Sequence, residues 1–262
     1  MATKYIDINC DMGESYGRWT LGADDEIMPH ITSANVACGF HGGDPHVMRK
    51  TVENAVKHGV AIGAHPGLPD LMGFGRRRMD VSPQELKDIH LYQTGALTAF
   101  AAAAGAKLQH VKPHGIQYHM FEENLALARA TAEQVMELDR SLILMTMAMT
   151  KYDAEARKVA GIRVAAEGFA DRVYADDAQL VSRKLGKDAL VSDPARAAEQ
   201  AVRMVMEGKV RTITGKVIDV KVETVCIHGD SPGAEKIVVA VREGLVKAGC
   251  QVKPLREWLP KA

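Results

Sequence analysis

The sequence predicts an α/β fold of the (β/α)-barrel type, with about seven parallel strands in a single domain over residues 1–262. Three observations carry that prediction. Short apolar runs alternate with helical stretches along the whole chain. Polar clusters rich in Gly, His and Asp follow nearly every strand, as the loops at the C-terminal face of a barrel do. Neither a G-x-G-x-x-G after the first strand nor a G-x-x-x-x-G-K-[ST] occurs, so the two commonest nucleotide cradles of doubly wound sheets are absent. Alternation alone leaves a doubly wound sheet open. The other two observations favour a barrel, one with fewer than eight strands or incompletely closed.

The first strand, residues 5–9 (YIDIN), alternates, so Ile6 and Ile8 face one way and Asp7, Asn9 and Asp11 the other. A polar inner face suits a barrel whose interior opens into a site. Residues 23–30 form a short helix starting near Asp24. The second strand covers 34–37, and Asp44-Pro45 then starts a helix, with Asp44 as N-cap and Gly59 as terminator. The third strand is 60–64. Ser82-Pro83 with Glu85 opens a helix to 104. The fourth strand, 108–112, leads to a helix over 122–138, and the fifth, 142–146, to a helix over 151–160. The sixth, 162–166, enters a long polar loop. Asp193-Pro194 starts a helix to about 207. The seventh strand, 222–227, precedes a helix over 234–248, and a short extended piece lies near 251–253.

Composition narrows the function. Lys+Arg 33 against Asp+Glu 33 gives no field that would draw nucleic acid or an anionic membrane, and 5% aromatics leave no base-stacking surface. The four cysteines, Cys10, Cys38, Cys226 and Cys250, form no C-x-x-C pair, which argues for a reducing cytoplasm over a disulfide framework. No apolar run approaches a bilayer span, and MATKYIDINCD lacks a signal pattern.

The residues that follow the strands form the candidate site. The first strand and its loop supply Asp7, Asn9, Asp11 and Glu14, and the second Asn35, His41 and Asp44. The third brings His65, Asp70, Arg76 and Arg77, and the fourth Lys112, His114 and His119. The sixth brings Glu167, Asp171 and Arg172, and the seventh His228 and Asp230. Any one histidine here could simply satisfy a loop carbonyl. His41, His65, His114 and His228 at four strand ends instead converge on one face.

Amide hydrolysis fits this set, with Asp11 or Glu14 as base, Lys112 and His114 as the electrophilic pair, and Arg76 and Arg77 as a bidentate carboxylate clamp. The alternative for the arginines is a solvated RRR run. Metal-assisted hydrolysis is a second chemistry, without an H-E-x-x-H to mark it, and the metal is left open. A nucleophilic Cys38 is a third, while Cys10 and Cys226 read as packing residues. The catalytic candidates are therefore Asp11, Glu14, His41, His65, Lys112 and His114. The substrate-binding candidates are Asn9, Asn35, Arg76, Arg77, Glu167, Asp171, His228 and Asp230.

These motifs resemble the LamB/YcsF family, the A components of 5-oxoprolinase. The matching stretches are DINCDMGESYGRW (7–19), SANVACGFHGGDP (33–45), GAHPGLPD with GFGRR (63–77), KPHG (112–115), EGFADRVY (167–174), LVSR (180–183) and HGD (228–230). Where the family reads KPHGALYN this chain reads KPHGIQYH, which keeps Lys112 and His114 but changes the far wall of that loop at Ile116, Gln117 and His119. The resemblance implies a TIM-like barrel akin to glycoside hydrolase and deacetylase barrels. It also implies cleavage of 5-oxo-L-proline to L-glutamate with ATP and magnesium, in a complex with two further subunits, B and C. The competing readings are a stand-alone metal-dependent amidohydrolase or deacetylase acting on a small amide, and a non-enzymatic sensor of an amino-acid-like ligand.

Overall fold

Strand β1 (Lys4–Met12) sets a pattern that the other strands repeat. Ile6, Ile8, Cys10 and Met12 join the apolar layer beneath the helices, and Asp7, Asn9 and Asp11 lie on the opposite face. The computed structural model describes residues 4–231 and 233–260; the ends of the expected 1–262 domain and Pro232 lie outside the described residues.

Helix α1 (Asp24–Ile27) and β2 (Ser33–Ala37) follow, then α2 (Pro45–His58), β3 (Ala61–His65), α3 (Pro83–Ala103) and β4 (Leu108–Val111). Next come α4 (Gln117–Glu123), α5 (Leu125–Leu138), β5 (Ile143–Met147), α6 (Lys151–Ala156), β6 (Arg163–Phe169) and α7 (Pro194–Val202). An antiparallel hairpin of β7 (Lys209–Arg211) and β8 (Val217–Asp219) precedes β9 (Thr224–His228). Helix α8 (Ala234–Lys247) and β10 (Cys250–Val252) end the described chain, with a final turn at Leu255–Glu257.

Strands β1 to β6 pair in sequence and in parallel. β9 pairs with both β6 and β1, so seven parallel strands close into a barrel, with β10 added beside the start of β1. The barrel expected from the sequence is present and fully closed. Leu255 packs with Ile143, Met145 and Ala165 and plugs the end where the strands begin. The strands' other ends all point to one face, which collects their polar loops. Among the described residues no helix is long and apolar enough to cross a membrane.

Local chemistry sets the helix boundaries. Asp44 accepts N–H groups from His46 and Val47 at 2.8 and 3.0 Å and starts α2; Gly59, at φ 69°, ends it. Ser82 and Glu85 form a reciprocal capping box at α3. Three expectations shift. The helix expected over 122–138 breaks at Asn124, whose side chain accepts the Ala126 N–H at 3.1 Å and gives α5 its own cap. The helix expected over 151–160 stops at Ala156. The one expected from 193 to 207 passes into a single wide π turn over Arg203–Glu207. The β7–β8 hairpin was not expected, because its strands are only three residues each and too short for a periodic signal; Gly215, at φ 88°, marks its turn.

Asp44 also accepts the Gly17 N–H at 2.7 Å, tying the loop after β1 to α2. Asp44→Ala should therefore lower the stability measured by urea unfolding by about 1–2 kcal/mol. An unchanged midpoint would show that water replaces both roles.

Candidate active site

The barrel interior is a ladder of polar side chains. At its base Asp7 accepts hydroxyl hydrogens from Thr32, Ser33 and Thr224 at 2.7, 2.6 and 2.6 Å. Burial nevertheless raises its carboxyl to about 6. One rung up, Asn35 donates to both Asn9 Oδ1 and Asp11 Oδ1, at 2.7 and 2.8 Å. His110 Nε2 lies 2.7 Å from Asn35 Oδ1 and so donates to it. Burial drops this imidazole to about 3, so it is neutral. Gly63 makes the rung possible, since a Cβ there would fall 2.0 Å from His110 Nε2.

Above this sits Lys112, 2% exposed, with Nζ 2.8 Å from Asp11 Oδ1 and 2.9 Å from Glu167 Oε1. Burial opposes its charge, but the carboxylates of Asp11 and Glu167 outweigh burial and hold the ammonium well above its ordinary range. Burial likewise opposes the Asp11 carboxylate, and His65 and Lys112 reverse it, holding Asp11 well below its usual value. The Cys226 thiol accepts from Nζ at 3.3 Å, so a residue read as packing points into the site. Tyr118 donates to Glu167 at 3.4 Å.

At the strand ends His41, His65, His114 and Glu14 form a buried cluster. The His41 and His114 rings stack at 3.6 Å and 3°, with His65 edge-on to both. Burial, together with the neighbouring histidines, holds both stacked imidazoles well below their ordinary value and thus neutral. Burial and Asp11 push the Glu14 carboxyl well up. Glycines admit the rings: a Cβ on Gly67 would meet His41 Nδ1 at 2.5 Å, and one on Gly75 would meet His114 Cδ2 at 2.7 Å. One ligand atom from each of Glu14, His41, His65 and His114 lies within 4.8 Å of the others, a spacing that could hold a metal ion. A second such set, Asp11, Cys226 and His228, already has the Lys112 ammonium beside Asp11 and Cys226.

A cavity of about 250 Å³ opens above Lys112, lined also by Asp11, His65, His114, Tyr118, His119, Phe169, Arg172 and His228, with Arg76 and Arg183. His228 stacks on Phe169 with centroids 5.5 Å apart. Its Nδ1 lies 2.9 Å from Asp171, and its backbone N–H donates to the same carboxylate at 3.0 Å, which fixes the ring and leaves Nε2 for the cavity. Arg183 donates through Nη1 to Asp230 at 2.9 Å, while its Nε and Nη2 are buried with no hydrogen-bond partner among the described residues. Arg76 lies over the Phe74 ring at 5.5 Å.

The structure thus brings Asn9, Asp11, Glu14, Asn35, His41, His65, Lys112, His114, Glu167, Asp171 and His228 to one end of the barrel. Asp230 reaches it only through Arg183. Arg77 stays outside: its Nε donates to Asp70 at 2.8 Å, and its side chain is two-thirds exposed. Cys38 is buried, donates to the Val36 carbonyl at 3.2 Å and is raised by burial to about 12, which removes it as a thiolate nucleophile. Arg183, Tyr118 and Phe169 were not singled out from the sequence, although LVSR, KPHGIQYH and EGFADRVY contain them. The departures in KPHGIQYH also find a place. Gln117 accepts from His90 Nε2 at 2.6 Å and donates to the Pro66 carbonyl at 2.7 Å, pinning the His114 loop to α3, and His119 lines the cavity.

Known proteins share this chain's sequence and fold over nearly its whole length. Residues 6–260 match the family described as LamB/YcsF. The chain is 51% identical over 95% of its length to the 5-oxoprolinase A component of Tolumonas auensis, covering 99% of that protein. It is 49% identical over 97% of its length to the 5-oxoprolinase A component of Pyrococcus furiosus, again covering 99% of it. A crystal structure of a lactam utilization protein from Thermus thermophilus superposes with TM-score 0.89 at 47% identity, over 95% of this chain and 99% of that one. The barrel alone is shared with a family 4 carbohydrate esterase from Streptomyces lividans, at TM-score 0.51 and 9% identity over 99% of this chain and 97% of that one.

Replacing Lys112 with Met would leave the carboxylates of Asp11 and Glu167 buried without their cation. Lys112→Met should cost about 3–5 kcal/mol in urea unfolding at neutral pH. Adding Glu167→Gln should restore part of that loss, because one uncompensated charge goes. A single variant as stable as the parent would mean that the ion pair does not exist.

Proposed function

The chain belongs to the LamB/YcsF family, and we propose that it opens the lactam ring of 5-oxo-L-proline to give L-glutamate, coupled to ATP hydrolysis, as one member of a complex with subunits B and C. The observation that carries this reading is that one cavity is lined both by Arg183, whose Nε and Nη2 have no hydrogen-bond partner among the described residues, and by the buried ammonium of Lys112. Two cationic groups in a cavity of about 250 Å³ suit a small ring that carries a carboxylate and a polarisable oxygen. The curated relatives, 5-oxoprolinase A components at about half identity over nearly the whole chain, support the substrate.

A lactam is a resonance-stabilised amide and a poor electrophile. In the proposed sequence the γ-phosphoryl group of ATP moves to the lactam oxygen, releasing ADP. Water then adds to the ring carbon, and the carbon–nitrogen bond breaks as the nitrogen takes a proton. A second water releases phosphate from the resulting acyl phosphate and leaves glutamate. ATP with its magnesium is handled mainly through the partner subunits.

Within this sequence the chain's own side chains have definite tasks. Arg183 and Arg76 hold the substrate carboxylate. Lys112 Nζ faces charge that develops on the lactam oxygen. His228 Nε2, oriented by Asp171, takes a proton from water and returns it to the leaving nitrogen. This shifts the base from Asp11, whose Oδ1 is occupied by Asn35 and Lys112. It also releases His114 from an oxyanion role, since its Nε2 donates to the Phe74 carbonyl at 2.8 Å. Asn9 and Asn35 set the Asp11–Lys112 pair rather than touching substrate.

The test is glutamate release from 5-oxoproline by this chain with subunits B and C. Release that needs ATP and all three chains supports the reading. Release by this chain alone moves it to a stand-alone amidohydrolase, and ligand binding without turnover in any mixture moves it to a sensor. In the working complex His228→Asn should lower kcat about 100-fold to 10,000-fold with KM little changed. Arg183→Ala should raise KM for 5-oxoproline about tenfold or more, and Arg77→Ala should behave as the parent. Equal effects of the Arg183 and Arg77 changes would remove the carboxylate assignment.

A further inference from the structure

One buried side chain has no role in that sequence. His41 is wholly buried, and neither ring nitrogen has a hydrogen-bond partner among the described residues. Leaving a buried polar group unpaired costs about 1–3 kcal/mol, so two such atoms on one ring call for a partner.

The neighbours specify what that partner is. His65 Nδ1 lies 2.7 Å from the Lys112 carbonyl, which only accepts, so Nδ1 carries the hydrogen; Nε2, 3.4 Å from Asp11 Oδ2, offers its lone pair in the neutral ring. His114 Nε2 lies 2.8 Å from the Phe74 carbonyl, so its lone pair is on Nδ1. These two lone-pair nitrogens face each other at 3.0 Å. Glu14 Oε1 lies 3.8 Å from His114 Nδ1 and 3.4 Å from His41 Nε2. Electron pairs therefore converge on one small space from several sides. The lysine ammonium nearby is already engaged with Asp11 and Glu167.

We propose that Glu14, His41, His65 and His114 bind one divalent transition-metal ion of the zinc or cobalt class. Three imidazoles and one carboxylate suit such borderline ions, whereas magnesium and calcium demand oxygen ligands. His65 and His114 each give their second ring N–H to a backbone carbonyl, which is how metal-bound histidines are commonly oriented. His41 lies parallel over His114 at 3.6 Å, so an ion bound by both needs one ring to tilt, and His41 is the ring that no hydrogen bond restrains. The ligands come from the loops after β1, β2 and β4 and from the end of β3, so the ion ties neighbouring loops together. It also adjoins the cavity, which His65 and His114 line. This site does not depend on the lactam reading.

The experiment uses the full chain alone, stripped with a chelator that is then removed. It is titrated with zinc chloride or cobalt chloride by calorimetry, and bound metal is counted by mass spectrometry. The expected result is one ion per chain, a cobalt absorption band in the visible, and no comparable binding of magnesium or calcium. His41→Ala should weaken binding about 100-fold or more, beyond the loss typical of an orienting group. Glu14→Gln, which keeps the side chain's shape, should weaken it about tenfold or more. Far-UV circular dichroism identifies a variant that has lost its fold, and the cobalt spectrum of the parent stands apart from the variants. Absence of binding and of the cobalt band would overturn the proposal and leave a proton shared between His65 and His114. Folded variants that bind as tightly as the parent would overturn it too.

Discussion

The ion triad of Asp11, Lys112 and Glu167 is the interaction on which the rest of the interior depends. An ammonium only 2% exposed is tolerable because carboxylates from β1 and β6, the two strands that flank β9, reach it at 2.8 and 2.9 Å. That requirement fixes three strand ends relative to one another, since Asp11 is on β1, Glu167 on β6 and Lys112 directly after β4. It also explains the amides below. Asn35 donates to Asp11 Oδ1 and to Asn9 Oδ1, which ties the carboxylate to the rung below it and leaves Asp11 little rotational freedom. The barrel is thus filled by a connected polar network where many barrels carry branched aliphatic layers.

Space for that network comes from missing side chains. Gly63 admits His110, and Gly67 and Gly75 admit the stacked His41 and His114. The glycines that make HPG and GFG look like flexible loop segments are close-contact positions, and the positive φ of Gly75 adds a backbone reason for it. Rigidity follows from this crowding. The loops carry the ligating and catalytic candidates, yet Gln117, His90 and Gln93 bolt them to α3 and to each other. A site held in this way is preorganised for charge that appears during a reaction.

Much of this was legible in the sequence. YIDIN announced a strand with a polar inner side, and the Asp44-Pro45 and Ser82-Pro83 signals marked helix starts that the structure retains. The convergence of histidines at strand ends followed from the barrel alone. What escaped notice has physical causes. Arg183 lies in a long loop without periodicity, so nothing in its spacing aims it at the cavity. Arg77 stands beside Arg76 in sequence, but the turn over 70–77 sends the two side chains apart, Arg77 to Asp70 and Arg76 to the lining of the cavity. Cys226 sits in a strand, and only the register of β9 against β1 tells that it faces Lys112 and not the helices.

On the proposed function, the cavity recognises a lactam through a carboxylate at its mouth as well as through the ring. Calorimetric titration of the isolated chain with 5-oxo-L-proline and, separately, with 2-pyrrolidinone, the same ring without the carboxylate, separates the two contributions. The expected result is saturable binding of 5-oxo-L-proline, with 2-pyrrolidinone weaker by about tenfold or more, the value of one lost charge-assisted contact. Equal affinities, or no binding of either compound, would contradict it.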